Sequence, residues 1–124
     1  MANRITAWCI DCADPNKLAA FWTAALDWVV TDSDQEGVSI KPSADAAWGI
    51  DFFVVPDGPK RDKNRLHLDV NPTDRDQDAE LKRLLELGAR RVDIGQGEVT
   101  WHVLADPEDN EFCLLRRRVE PEDA

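Results

Sequence analysis

Hydrophobic and polar residues alternate at period two through "RITAWCID", residues 4–11, which predicts a strand. The "CADP" that follows supplies an aspartate suited to cap a helix and a proline suited to its first turn, so the strand should run straight into a helix. Over "PNKLAAFWTAALDW" the apolar period lengthens. Leu18, Phe21, Trp22, Ala25 and Leu26 recur at spacings of three and four and form one broad face that must pack on a sheet. "WVVTD", "GVSIK" and "WGIDFFVV" then read as three short strands set apart by Asp, Ser, Gly and Pro. The predicted order is βαβββ.

The second half repeats that order. "RLHLDV" is a strand, and "RDQDAELKRLLELG" is a helix with acidic residues early, Leu81, Leu84, Leu85 and Leu87 inside, and Gly88 as its stop. "RRVDI", "EVTWHVLA" and "EFCLLR" supply three more strands, the last two joined by "DPEDN", whose Pro, Asp and Asn suit a tight turn. The polar "VEPEDA" reads as a frayed tail. A constant offset of 60 pairs Ala7 with His67, Cys9 with Asp69, Asp14 with Asp74, Phe52 with Phe112 and Phe53 with Cys113. The expectation is one α+β domain over residues 1–124, built from repeat units at about 3–58 and 63–118. Two βαβββ repeats of this kind can pair into a curved mixed sheet, helices outside, around a central groove.

Charge narrows the partners. With 25 acidic and 15 basic residues the chain carries a formal −10, which repels phosphate backbones and anionic lipid surfaces, so neither nucleic acid nor membrane is an expected partner. Apolar runs are far shorter than the roughly 18 residues of a membrane span, and "MANRITAWCID" lacks the pattern of a secretion signal, so a cytoplasmic location is expected. Three cysteines, an odd number, fit reduced thiols rather than a disulfide framework.

Three stretches, "DPNKLAAFWTAALDW", "KNRLHLDV" and "LADPEDNEFCLL", together with the paired βαβββ order, give the chain its likeness to a known family. It resembles the glyoxalase, bleomycin-resistance and extradiol-dioxygenase (vicinal oxygen chelate) superfamily, in its glyoxalase-like branch. The resemblance implies a small-molecule site in the groove, and it admits a homodimer, since members commonly dimerise. In metal-using members it implies a divalent ion held near the start of the first strand and in the last strand of each unit. Carried over by spacing, those four positions are Ala7, Phe53, His67 and Cys113.

Ala7 and Phe53 offer no donor atom, and His67 with Cys113 is half a tetrahedral site, although Asp51 and Asp69 share the same strand parity and could be recruited. No metal and no cofactor are therefore expected. In "CIDC" the two sulfurs point to opposite strand faces, which favours small buried cysteines over a zinc knuckle. Parity assigns Trp8, Ile10, Leu66, Leu68 and Val70 to the face that meets the helices, and Cys9, Asp51, Phe53, His67, Asp69 and Cys113 to the groove. His67 is the candidate catalytic acid or base, paired with Asp69 or Asp51. Trp48 and Trp101, which open strands after loops, are candidate platforms for a flat ligand. Two functions follow: a metal-free binder of small organic molecules, or a lyase or isomerase of the glyoxalase type that uses His67, with or without a metal.

Overall fold

The computed structural model describes residues 2–56 and 60–121. In the first of its two units, β1 (Ala7–Cys12) leads to α1 (Pro15–Leu26), then β2 (Val29–Ser33), β3 (Gly37–Lys41) and β4 (Gly49–Val54). Asp14 caps α1 by accepting from the Lys17 amide at 3.1 Å, as the "CADP" stretch predicts. The sheet runs β1-β4-β3-β2, with β1 parallel to β4 and the other pairs antiparallel. β2 is exposed throughout, and its register shifts between Val30 and Asp32. Leu18, Phe21 and Trp22 of α1 are buried along with Val38, Ile40, Ile50 and Phe52 of β3 and β4. A Cβ on Gly49 would lie 2.0 Å from the Ile40 carbonyl oxygen, so the close pairing of β3 with β4 requires glycine there.

The second unit starts at Lys60 and contains β5 (Leu68–Val70), α2 (Gln77–Leu87), β6 (Arg90–Arg91), β7 (His102–Ala105) and β8 (Glu111–Leu114). Its sheet, β5-β8-β7-β6, again has one parallel pair, β5 with β8. The chain is thus α+β, with two βαβββ repeats and one mixed four-stranded sheet in each. Among the described residues no helix is long and apolar enough to cross a membrane.

Several details depart from the sequence pattern. Asp74 does not cap α2; Asp76 does, accepting from the Ala79 amide at 2.8 Å, while Asp74 binds the Arg75 guanidinium at 2.9 and 3.0 Å. The offset between the halves therefore does not stay at 60. Cys9 faces Asp51 on β4 and Asp69 faces Cys113 on β8, so strands that match at 60 have partners that match at 62. The difference arises in the turn after β5, which is longer than the turn after β1. Trp8 and Leu66 are exposed rather than buried under a helix. α1 lies across β2, β3 and β4 while β1 forms the sheet edge, leaving Trp8 39% exposed, and Leu66 precedes β5 and is 72% exposed. Leu87, at the end of α2, is likewise exposed. The predicted strands around β6 and β7 shorten because the segment between them turns through Gly95 and Gly97, both at positive φ. The tail is tied by the Val119 amide to the Pro72 carbonyl at 2.9 Å, and residues 122–124 lie outside the described residues.

Between β7 and β8, the "DPEDN" turn is organised by Asp106, which is only 1% exposed. Its carboxylate accepts from the amides of Glu108 and Asn110 at 2.9 and 3.0 Å and from the Asn110 side chain. This satisfied buried charge sets the register in which β8 returns.

Candidate functional site

Strand pairing places Asp69 beside Cys113, and His67, two residues before Asp69, shares its face by alternation. The His67 Nε2 lies 3.2 Å from Asp69 Oδ1, and the imidazole, the carboxylate and the Cys113 Sγ each offer an atom within 4.8 Å of the other two. Burial separates their roles. Cys113 is 7% exposed and forms a floor, whereas the side chains of His67 and Asp69 are 45% and 52% exposed and open to solvent. Burial pushes the Cys113 thiol up, the Asp69 carboxylate adds to the effect, and Lys63 opposes it. The thiol is therefore protonated at neutral pH and is no activated nucleophile.

The chain leading into β5 is pinned beside this cluster. Glu111 accepts from Lys60 Nζ at 2.9 Å and from the Asn64 amide at 3.2 Å, and its side chain is only 11% exposed. Burial alone would raise this carboxyl, but Lys60 and the Asn64 amide outweigh it and hold it below the usual glutamate value. The sequence offers no local signal for this contact, because the partners lie 51 and 47 residues apart.

The remaining sequence candidates fall elsewhere. Cys9 and Asp51 are register partners in the first unit, so a thiol and a carboxylate stand side by side there too, with Ala7 where the second unit has His67. Phe53 pairs with Asp11, is 39% exposed, and accepts from the buried Cys12 thiol through its carbonyl at 3.6 Å. Cys9 is exposed and Cys12 buried, as opposite strand faces require. Trp48 is 40% exposed and meets Trp28 edge-on with ring centroids 6.1 Å apart. Trp101 lines a cleft of about 280 Å³ with Arg91, Gln96, Glu98, Val99 and His102, a setting that strand parity did not anticipate. Of the named set, the second unit brings together His67, Asp69 and Cys113.

A family model described as a glyoxalase-like domain matches residues 7–115. The chain belongs to this glyoxalase-like family. Solved structures agree on the fold at low identity. The fosfomycin resistance protein FosX from Mesorhizobium loti is 15% identical, with a TM-score of 0.66 over 92% of each chain. A FosX mutant from Listeria monocytogenes, in complex with Mn(II) and 1S,2S-dihydroxypropylphosphonic acid, is 18% identical, with a TM-score of 0.67 over 93% of this chain and 90% of that one. A glyoxalase-related enzyme from Fulvimarina pelagi is 12% identical, with a TM-score of 0.64 over 91% and 87%. No curated protein matches the chain in sequence.

A metal is implied by such relatives, and the donor set of this glyoxalase-like chain tests it. Magnesium and manganese take shells of oxygen and imidazole. Here Ala7 carries no donor, register puts Asp51 rather than Phe53 where the second unit has Cys113, Glu111 is held by Lys60, and the cluster that forms in the second unit is one imidazole, one carboxylate and one thiol. That set does not fit a hard ion.

Proposed function

We propose that this glyoxalase-like protein binds a small organic molecule at the open face of the His67–Asp69 pair, above the Cys113 floor, without a hard metal ion. The observation that supports this reading is the cluster itself: an exposed imidazole set 3.2 Å from a carboxylate over a buried thiol, a donor that hard ions reject. The net charge of −10 favours neutral or cationic ligands over polyanions. Trp101 of the same unit, partly exposed, suits a flat one.

A second reading, a lyase or isomerase of the glyoxalase type, is favoured by the same pair, since a carboxylate beside an imidazole orients it and stabilises its charged form during proton transfer. One experiment addresses both. A thermal-shift screen of metabolites and drugs should give hits that quench tryptophan fluorescence. His67→Ala should weaken those hits by about tenfold, the loss of one hydrogen bond of roughly 1.4 kcal/mol. Hits confined to phosphorylated or polycarboxylate compounds, or unaffected by His67→Ala, would remove the binder reading. Incubated with the protein in deuterium oxide, a hit that exchanges a carbon-bound proton only when His67 is present would make the enzyme reading the correct one.

A further inference from the structure

The two repeats differ in how the chain enters its first strand. In the first unit the parallel ladder opens with Ala7 opposite Gly49, so backbone pairing fixes that position. In the second it opens one step later, with Leu68 opposite Phe112, and the matching residues, His67 and Glu111, stand before it. His67 is thus tethered by β5 on one side and needs a second hold on the other. The Glu111 side chain provides one, accepting from the Asn64 amide at 3.2 Å and from Lys60 Nζ at 2.9 Å. We infer that Glu111 is a positioning residue, which through Lys60 and Asn64 takes the place of the missing ladder step and sets where the His67 imidazole stands beside Asp69 and Cys113. The hold is a matter of the chain alone; its use, the presentation of the imidazole to an organic ligand, rests on the reading above.

Nothing apolar does this work. Leu66 is 72% exposed and the His67 side chain is half exposed, so packing gives the segment little support. The polar hold is correspondingly strong, because the Glu111 carboxylate is largely buried and its bonds to Lys60 and to the Asn64 amide are charge-assisted. It is also anchored beyond Glu111. The Asn64 side chain donates to Asn110 Oδ1 at 3.5 Å, and Asn110 is itself fixed by the buried Asp106 in the turn between β7 and β8. Only Arg65, Leu66 and His67 separate the Asn64 anchor from β5, and three residues span at most roughly 11 Å, so a displaced anchor moves the imidazole with it.

The first unit shows the alternative. Where the second carries Glu111 it carries Gly49, which has no side chain to reach the incoming strand and no room for one, and the residue opposite is Ala7, with no functional group to aim. The side-chain hold occurs in the unit that has an imidazole to place.

Nuclear magnetic resonance reads the imidazole directly, since the chain has only two histidines, His67 and His102. The full-length, reduced protein is prepared with isotope-labelled histidine and cysteine, and His67→Gln assigns the signals by their disappearance. The wild-type chain should show an Overhauser contact between the His67 ring and the Cys113 methylene, as donor atoms within 4.8 Å of one another require. Glu111→Ala should erase that contact and move the His67 ring shifts to those of free histidine, while His102, on β7, keeps its own. Lys60→Met should shift the His67 signals in the same direction, and Lys60→Arg, which keeps the cation, should restore the wild-type spectrum. A contact that survives Glu111→Ala, its absence from the wild-type chain, or equal displacement of His67 and His102 would overturn the inference. If Glu111→Ala does not fold, Lys60→Met decides, and unchanged His67 signals in that variant overturn it. No ligand is present in these spectra, so a negative result leaves the ligand reading standing, and a screen without hits leaves the positioning role standing.

Discussion

Glu111 lies two residues from Cys113 on β8, yet it has a different task, because Lys60 and the Asn64 amide draw its carboxylate towards the chain that enters β5. Its carboxyl titrates below the usual glutamate value, so the contact stabilises the fold fully above about pH 4.5 and is lost as pH falls through the lowered folded-state value. Glu111→Gln should therefore cost about 1.5 to 3 kcal/mol at neutral pH, the range for a hydrogen bond to a charged group. The cost should shrink towards zero in acid. Urea denaturation of both proteins at pH 7 and pH 3 checks this, and a pH-independent difference would contradict it. His67, Asp69 and Cys113 were legible in the sequence through parity and the "HLD" spacing. The Glu111 contact was not, since nothing local links a lysine in a loop to a strand residue 51 positions away.

Among the elements, α1 and α2 show how far pattern reading reaches. Apolar spacing placed both helices and their buried leucines, because burial of a helical face has a period that survives in sequence. Capping has no such redundancy. "DRD" offers Asp74 and Asp76 on either side of Arg75, and only the folded backbone decides which carboxylate meets the free amides of the first turn. Asp76→Ala should lower stability by about 1 kcal/mol, whereas replacing exposed Asp74, engaged with its neighbour Arg75, by alanine should leave it nearly unchanged. Equal effects in chemical denaturation would argue against the assigned cap. The strand ends around Gly95 and Gly97 were missed for a related reason: alternation ran on through residues that the backbone turns aside.

At the scale of the whole molecule, the duplication was readable because each unit repeats the same order of periods, and order tolerates a small insertion. A fixed offset does not, which is why Phe53 was matched to Cys113 when strand register sets Asp51 in the equivalent place beside Cys9. The two sheets also end in a similar manner. β2 is fully exposed and interrupted by its register shift at Val30 and Asp32, and β6 is two residues long, both arginine. A flat row of free amides and carbonyls would invite a strand from another molecule, and further molecules after it, so the irregular β2 edge and the short cationic β6 edge each disfavour that addition on their own side of the sheet. Replacing Asp32 with valine would join Val29, Val30 and Thr31 into a continuous β-prone run. That variant should form thioflavin-positive aggregates at concentrations where the parent stays monodisperse by light scattering. The bulge in β2 thus bears on how crowded a solution this chain can tolerate, a property separate from whatever it binds.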